Sequence, residues 1–232
     1  MNQAELALKL SPKDSQVNSQ ASVLLGLTYW GNGDLETAHD FMSEWVNNME
    51  KSGNIYFSIA ATFGLADIRI AQGRLSEAER TYKHSLQLAS EQEENVQWIT
   101  AHHQLGLAMI YHEKVEHENF EKHMLKSEEL GRKTTLIDWP YRWNIAQARL
   151  KESAGDLDAS LDLLDEAKRL YVRNLLPDIQ PIEALKAKIY IKQGNLARAV
   201  NWVHDRNISV NDELSYLSEF EHITLARVII AE

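Results

Sequence analysis

The sequence contains no cysteine, which removes disulfides, thiolate metal sites and any cysteine nucleophile together. Positive charge is also scarce: 24 Lys and Arg stand against 34 Asp and Glu, a formal net charge of −10, and no run of five basic residues occurs. Direct nucleic-acid binding needs clustered cations on phosphate, so this balance argues against it. No apolar stretch approaches the roughly 18 residues that cross a bilayer, and the N-terminus lacks a charged-then-apolar signal pattern. The simplest location is the cytoplasm, with no membrane partner. Strand-like alternation is missing throughout, and the four prolines stand at 12, 140, 177 and 181. Little interrupts helix.

What is present repeats. Leu65-Ala66-Asp67-Ile68-Arg69-Ile70-Ala71-Gln72-Gly73-Arg74-Leu75-Ser76-Glu77-Ala78 reads as a helix end, a glycine turn and a helix start. The phrase returns as Gly33-Asp34-Leu35-Glu36-Thr37-Ala38 and Gly194-Asn195-Leu196-Ala197-Arg198-Ala199. Gly155-Asp156-Leu157-Asp158-Ala159-Ser160 is a weaker copy, and a degenerate one is centred on Val115. The leucine slot therefore falls at 35, 75, 115, 157 and 196, steps of 40, 40, 42 and 39. Repetition at that spacing marks a solenoid.

The expected fold is all-α: a right-handed superhelical solenoid of antiparallel helix pairs, one domain over residues 1–232, with turns near 33, 73, 114, 155 and 194. The pairs are expected at about 16–31 and 34–52, 55–72 and 75–91, 95–112 and 115–131, then a helix capped by Asp138 with Pro140 in its first turn and a partner at about 157–173, then 179–193 and 196–206. Asp212 is expected to cap a last helix reaching Glu232, and a first segment is expected to stop at Ser11-Pro12. Nine residues before each leucine slot sits Gly26, Ala66, Gly106, Ala148 or Ala187, always small, so paired helices can approach closely. Ala226 takes the small slot of a sixth first helix whose turn would fall near 235. The chain is therefore expected to be a fragment of a longer protein, open at both ends. Its exposed apolar ends would also favour homo-oligomer contacts.

The small residue, eight intervening residues, leucine, two more and alanine form the tetratricopeptide-repeat pattern, here lengthened to about 40. With Gly33-Asp34-Leu35-Glu36-Thr37-Ala38, Gln72-Gly73-Arg74-Leu75, Leu163-Leu164-Asp165-Glu166-Ala167, Gln193-Gly194-Asn195-Leu196-Ala197-Arg198-Ala199-Val200-Asn201-Trp202 and Phe220-Glu221-His222-Ile223-Thr224-Leu225-Ala226-Arg227-Val228, it resembles the sensor domain of the large ATP-binding LuxR-type transcriptional regulators, the MalT-like group. The resemblance implies a parent with an N-terminal nucleotide-binding module, this solenoid and a C-terminal helix-turn-helix. ATP would belong to the N-terminal module, and this segment would hold no cofactor. Gly131-Arg132-Lys133-Thr134 lacks the upstream glycine and the residue order of a phosphate loop.

Catalytic groups do not assemble: no Gly-x-Ser-x-Gly elbow occurs, and the carboxylate pair Glu128-Glu129 reads as a solvated face. The expectation is a binding protein and not an enzyme. His112 and His117 are five apart, where a zinc-protease helix needs four, and His123 does not complete a set. The adjacent His102 and His103 point to different sides of a helix, so no metal is expected. In stacked pairs the first helix of each lines the concave face. The inward slots are Trp30, Asp67, His103, Tyr111, Arg142, Arg149, Glu152 and Lys188, with Trp98, Trp139, Tyr141 and Trp143 nearby. Rings beside charged groups would hold a sugar-like small molecule or a peptide-like partner. Packing is the simpler role for the tryptophans, above all Trp45 and Trp202 on second helices. A plain tetratricopeptide scaffold that binds a peptide or partner protein is the alternative to effector sensing.

Overall fold

A computed structural model describes residues 3–11, 16–92, 96–133, 136–172 and 176–232. Pro12, Thr134 and the expected helix ends at 95 and 173 lie outside the described residues. The chain divides into two compact units, Met1–Trp139 and Pro140–Glu232. Every regular element among the described residues is helical.

In the first unit α1 (Gln3–Leu10), α2 (Gln16–Gly31), α3 (Leu35–Lys51), α4 (Ile55–Ala71), α5 (Leu75–Ser90), α6 (Ala101–Glu113) and α7 (His117–Gly131) pack in chain order, each on the next. A short 3-10 turn, Gln97–Thr100, leads into α6. Second helices such as α3 bury Ala38, Met42 and Val46 at helical spacing and leave charged residues outside. First helices such as α4 bury Ser58, Ile59, Ala61, Thr62, Leu65, Ala66 and Ile68, because they are covered on several sides. The side chains of Asp34 and Asn195 each accept a backbone N–H of the first turn of the helix that follows. The core of the first unit centres on Ala66, Ala78, Tyr82, Leu107 and Ile110.

In the second unit α8 (Trp139–Ser153), α9 (Leu157–Leu170), α10 (Ile182–Lys192), α11 (Leu196–Arg206) and α12 (Glu219–Ala231) follow one another. Their core joins Ala148, Leu161, Leu164, Leu185 and Ile189, continuing to Ala187, Ala199, Trp202 and Val228. Two starts differ from expectation. Helix α10 begins at 182 and not near 179, because Pro181 takes the cap position in extended conformation and has no N–H for a further helical bond. Asp212 does not cap the last helix: its carboxylate accepts the Ser209 N–H at 2.7 Å. Ser215 and Ser218 cap each other reciprocally at a 3-10 turn that leads into α12.

The degenerate third turn is the informative one. Gly33, Gly73, Gly155 and Gly194 carry φ of 84°, 74°, 81° and 72°, and Val115 carries φ 60°. Val115 N–H donates to the His112 carbonyl at 3.0 Å and Glu116 N–H to that of Tyr111 at 2.9 Å, as Gly73 and Arg74 do to Ile70 and Arg69. Val115 therefore occupies the glycine position, not the leucine position, and His117 is the residue equivalent to Leu35 and Leu75. The correct steps become 40, 42, 40 and 39. A β-branched residue in left-handed conformation is strained by roughly 1–2 kcal/mol. Val115→Gly is expected to raise unfolding stability by about 1 kcal/mol in a urea titration, once the greater flexibility of glycine in the unfolded chain is subtracted. Equal or lower stability would show that the turn relaxes around the valine.

Candidate ligand-binding face

The register of the third repeat decides which residues line the first-helix face. With the corrected register the position one residue after the small slot is Leu27, Asp67, Met109, Arg149 and Lys188, and each is partly exposed. The small slot itself becomes Gly26, Ala66, Ala108, Ala148 and Ala187, each buried. A two-residue offset rotates a helix face by about 200°, and His103 and Tyr111 were assigned by the uncorrected register.

Both turn into the core. His103 is 1% exposed, and its Nε2 meets the Ile59 carbonyl at 2.9 Å. Burial first, then the neighbouring His102, hold its pKa down to about 3, against the favourable Ile59 and Ile99 carbonyls. The buried Tyr111 hydroxyl donates to Glu79 Oε1 at 2.9 Å. Lys83 joins the same carboxylate at 2.6 Å, and Lys114 pairs with it too. Burial opposes the Glu79 charge, but the bonds from Lys114, Lys83 and Tyr111 outweigh it and hold the pKa near about 2.

The remaining candidates of the first unit divide in the same way. Trp30 is 3% exposed. Asp67 accepts the Tyr82 hydroxyl at 3.0 Å and keeps part of its surface open. Trp98 packs on the cluster of Ile59, Ala89 and Ile99, with its ring 6.1 Å from that of Tyr56. Tyr56 and Phe57 are about half exposed. Trp45 and Trp139 are tied to Ser19 and Ser127, packing roles in both cases. The histidines are engaged as well. His102 Nε2 lies 3.0 Å from Asp138, its ring stacked on Phe63. His123 meets Gln104 and stacks on Tyr111. His112 and His117 fall on opposite sides of the turn, in α6 and α7. Among the described residues no three His, Asp or Glu side chains come close enough to hold a metal ion.

The second unit brings candidates together. Glu152 on α8 is paired with Lys188 at 2.9 Å and Lys192 at 2.6 Å, both on α10, and its side chain is 9% exposed. Burial raises the pKa of this group, but the two lysines outweigh burial and lower it. Arg149, one turn before Glu152, donates to Gln180. Arg142, seven residues earlier, is partly exposed on the same helix. One carboxylate thus faces Lys188 and Lys192, one turn along the helix from Arg149, in a chain whose net charge is −10. The first helices of the other unit are different: α2 has no charged residue, and α4 has only Asp67 and Arg69. Lys192 was not among the sequence candidates. Its spacing of four from Lys188 on one helix is the signal that marks it.

Two open clefts lie elsewhere. One of about 480 Å³ borders Leu86, Gln104, Lys122 and His123 in the first unit. One of about 390 Å³ borders Tyr141, Tyr171, Asp178 and Arg206 in the second. At the latter Lys168 is paired with Glu183 and Arg206 with Glu221, each at 2.7 Å. No described helix is long and apolar enough to cross a membrane.

The profile of the MalT-like TPR region matches residues 1–232. Among solved structures, BtubC (BKLC) from P. vanneervenii is similar, with 16% identity, a TM-score of 0.56, and coverage of 99% of this chain and 85% of that one. A tetratricopeptide repeat protein from Parabacteroides merdae aligns at 19% identity and a TM-score of 0.36, covering 92% and 90%. At these identities the likeness to BtubC is one of fold. No curated protein matches the sequence.

Proposed function

The chain belongs to the MalT-like TPR family, and from that premise we propose that it is the effector-sensing segment of a LuxR-type transcriptional regulator. At the coarser level it is a helical-repeat regulatory or protein-interaction domain. The reading is supported above all by the cluster of Glu152, Lys188 and Lys192, where polar groups of adjacent first helices share one partly open site. An effector presenting its own acceptors competes with Glu152 for the two lysines. Losing those bonds loosens the tie between α8 and α10 and shifts the population of repeat arrangements. The change is passed to an ATP-binding module and a DNA-reading domain in the same polypeptide, favouring a self-associated, cytoplasmic activator. This segment acts by binding and not by catalysis, and its own site needs no cofactor.

A thermal-shift screen of sugars, sugar acids and acyl compounds tests the proposal. A hit is expected to raise the melting temperature of the native chain, and Lys188→Ala should weaken that ligand about tenfold, the worth of one charge-assisted hydrogen bond. A parent gene lacking a phosphate loop and a helix-turn-helix would overturn the regulator reading. A second reading, a scaffold for a partner protein, draws on a different observation: the half-exposed Tyr56 and Phe57 beside Trp98 are the kind of aromatic group on which protein contacts centre. Stable capture of one protein, lost on Phe57→Ala with no small-molecule hit, would favour it.

A further inference from the structure

The cleft of about 390 Å³ in the second unit forms where helices end and begin. Lys168 lies in the last turn of α9, whose cap residue is Tyr171, while Arg206 closes α11 and Pro181 caps α10. Tyr171 leaves its helix in extended conformation, at φ −63° and ψ 124°. Its ring meets that of Tyr141 on α8 at a centroid distance of 5.2 Å and an angle of 66°. Two aromatic walls thus make a corner, with Pro181 and Ile182 as further apolar lining. Elsewhere the chain covers tyrosine rings with its own cations: Lys83 stands 5.8 Å from the centre of Tyr111, and Arg198 5.3 Å from that of Tyr190. Among the described residues no cation of the chain takes either ring of the corner.

The charges at the cleft are matched except one. Lys168 is held by Glu183 and Arg206 by Glu221, each at 2.7 Å. Asp178 reaches solvent at the same cleft and has no ion pair among the described residues. Partial burial raises its pKa and Glu221 adds to the rise, against the Gln180 N–H and Arg206. After burial, the Asp178 charge also helps to push the Tyr141 phenol up to about 12. Carboxylate and phenol are therefore neighbours, yet no hydrogen bond joins them. Two oxygens across a gap, beside two rings, suit an ammonium group: its N–H donors meet the oxygens and its charge meets the rings.

We propose that this cleft binds a primary alkylammonium ion, its nitrogen between Asp178 and Tyr141 and its methylenes against Tyr171, Pro181 and Ile182. The site uses none of Glu152, Lys188 and Lys192, so it stands apart from the proposed function. Charge selects the occupant. The chain carries a net −10, and the two cations at the cleft are tied to their own carboxylates while Asp178 is not. The ends of α9 and α11 add the partial negative charge of helix C-termini, against one helix start, at α10, whose first turn already holds Glu183. The volume falls within the range of small-molecule sites, roughly 300–1,000 Å³.

The experiment is isothermal titration calorimetry of the native chain with n-pentylamine at neutral pH, where the amine is protonated. 1-Pentanol and pentanoate serve as neutral and anionic chains of the same length. The amine is expected to bind about tenfold more tightly than the alcohol, and pentanoate more weakly still, with the amine's affinity falling as salt rises. Asp178→Asn keeps an oxygen for the Gln180 N–H and should lose about tenfold. Tyr171→Ala should lose about threefold, whereas Tyr171→Phe keeps the ring and the affinity. Equal affinity for amine and alcohol, a preference for pentanoate, no binding of any of the three, or indifference to Asp178→Asn each overturns the inference. If Asp178→Asn fails to fold, the two Tyr171 variants decide, since equal affinity for both removes the aromatic corner from the site.

Discussion

Gly106→Ala is expected to destabilise the protein by about 2 kcal/mol, although alanine is the better helix former by about 1 kcal/mol. A Cβ at Gly106 would lie 2.4 Å from Tyr82 Cζ and 2.5 Å from its hydroxyl oxygen. Non-bonded carbons prefer about 3.5–4.0 Å, so the ring must retreat by more than an ångström. It has nowhere to go. Tyr82 is 0% exposed, its hydroxyl donates to Asp67 at 3.0 Å, and its edge meets the His103 ring at a centroid distance of 5.7 Å. Overpacking of this kind costs about 1–3 kcal/mol, and a disturbed buried hydrogen bond adds about 1 kcal/mol. Together these exceed the propensity gain. Urea unfolding checks the sign, and a Tyr82→Leu background supplies the control. With the ring gone, the same alanine should stabilise. A stabilising Gly106→Ala in the native background would show that Tyr82 moves freely.

The helices and turns were legible because each is signalled locally. Glycine marks the left-handed turn residue, Asp or Asn the cap, and a buried small residue the close approach of two helices. One turn carries a different signal. Val115 adopts the glycine conformation without being glycine, and its apolar side chain resembles the leucine that begins the next helix elsewhere. Only the backbone bonds from Val115 to His112 and Glu116 to Tyr111 reveal which slot it fills. The cost of the missing glycine falls on the third repeat alone, since its neighbours keep their own markers.

The same two residues explain how much of the binding face could be read. Sequence spacing assigns faces by counting from the turn, and an error of two is about half a rotation. His103 therefore moved from the groove to the core, and Met109 took a partly exposed position. Tyr111 is buried by its own bond to Glu79, its slot equivalents Tyr29, Arg69, Lys151 and Tyr190 all keeping surface open. Arg149, Glu152 and Lys188 were counted from turns with true glycines, Gly155 and Gly194, and the structure finds the last two in contact. Trp30 shows another limit. Its first helix has a correctly placed turn, yet the ring is buried, because a large apolar side chain at a half-open slot gains by folding under its neighbours.

The stability of the protein is expected to fall by about 2.5 kcal/mol between pH 7 and pH 4.5 because of His103 alone. In the unfolded chain this histidine protonates near its ordinary value of 6.5, whereas in the fold it resists protonation down to about 3. A depressed folded pKa means that its contribution is complete above 6.5 and is lost as the pH falls toward 3. Two pH units below 6.5 favour the protonated unfolded state by about 2.7 kcal/mol. The groups around the ring are Phe63, Tyr82 and His102, with the Ile59 and Ile99 carbonyls. None of the side chains supplies a negative charge to hold an imidazolium. Half-buried His123, also lowered by burial, adds in the same direction. Glu79, held near about 2, begins to lose its contribution only as the pH drops through its ordinary 4.5, so it leaves this window clear. His103→Gln keeps an N–H for the Ile59 carbonyl but cannot titrate. Its stability at pH 7 should be lower than that of the native chain, and its curve between pH 6.5 and 4.5 should be flatter by most of the 2.7 kcal/mol. Denaturant titrations at four pH values measure both slopes. Parallel curves for the two proteins would mean that the ring takes up its proton inside the fold, with the carbonyls of Ile59 and Ile99 both accepting from a charged imidazole, and the neutral core assignment of His103 would then fall.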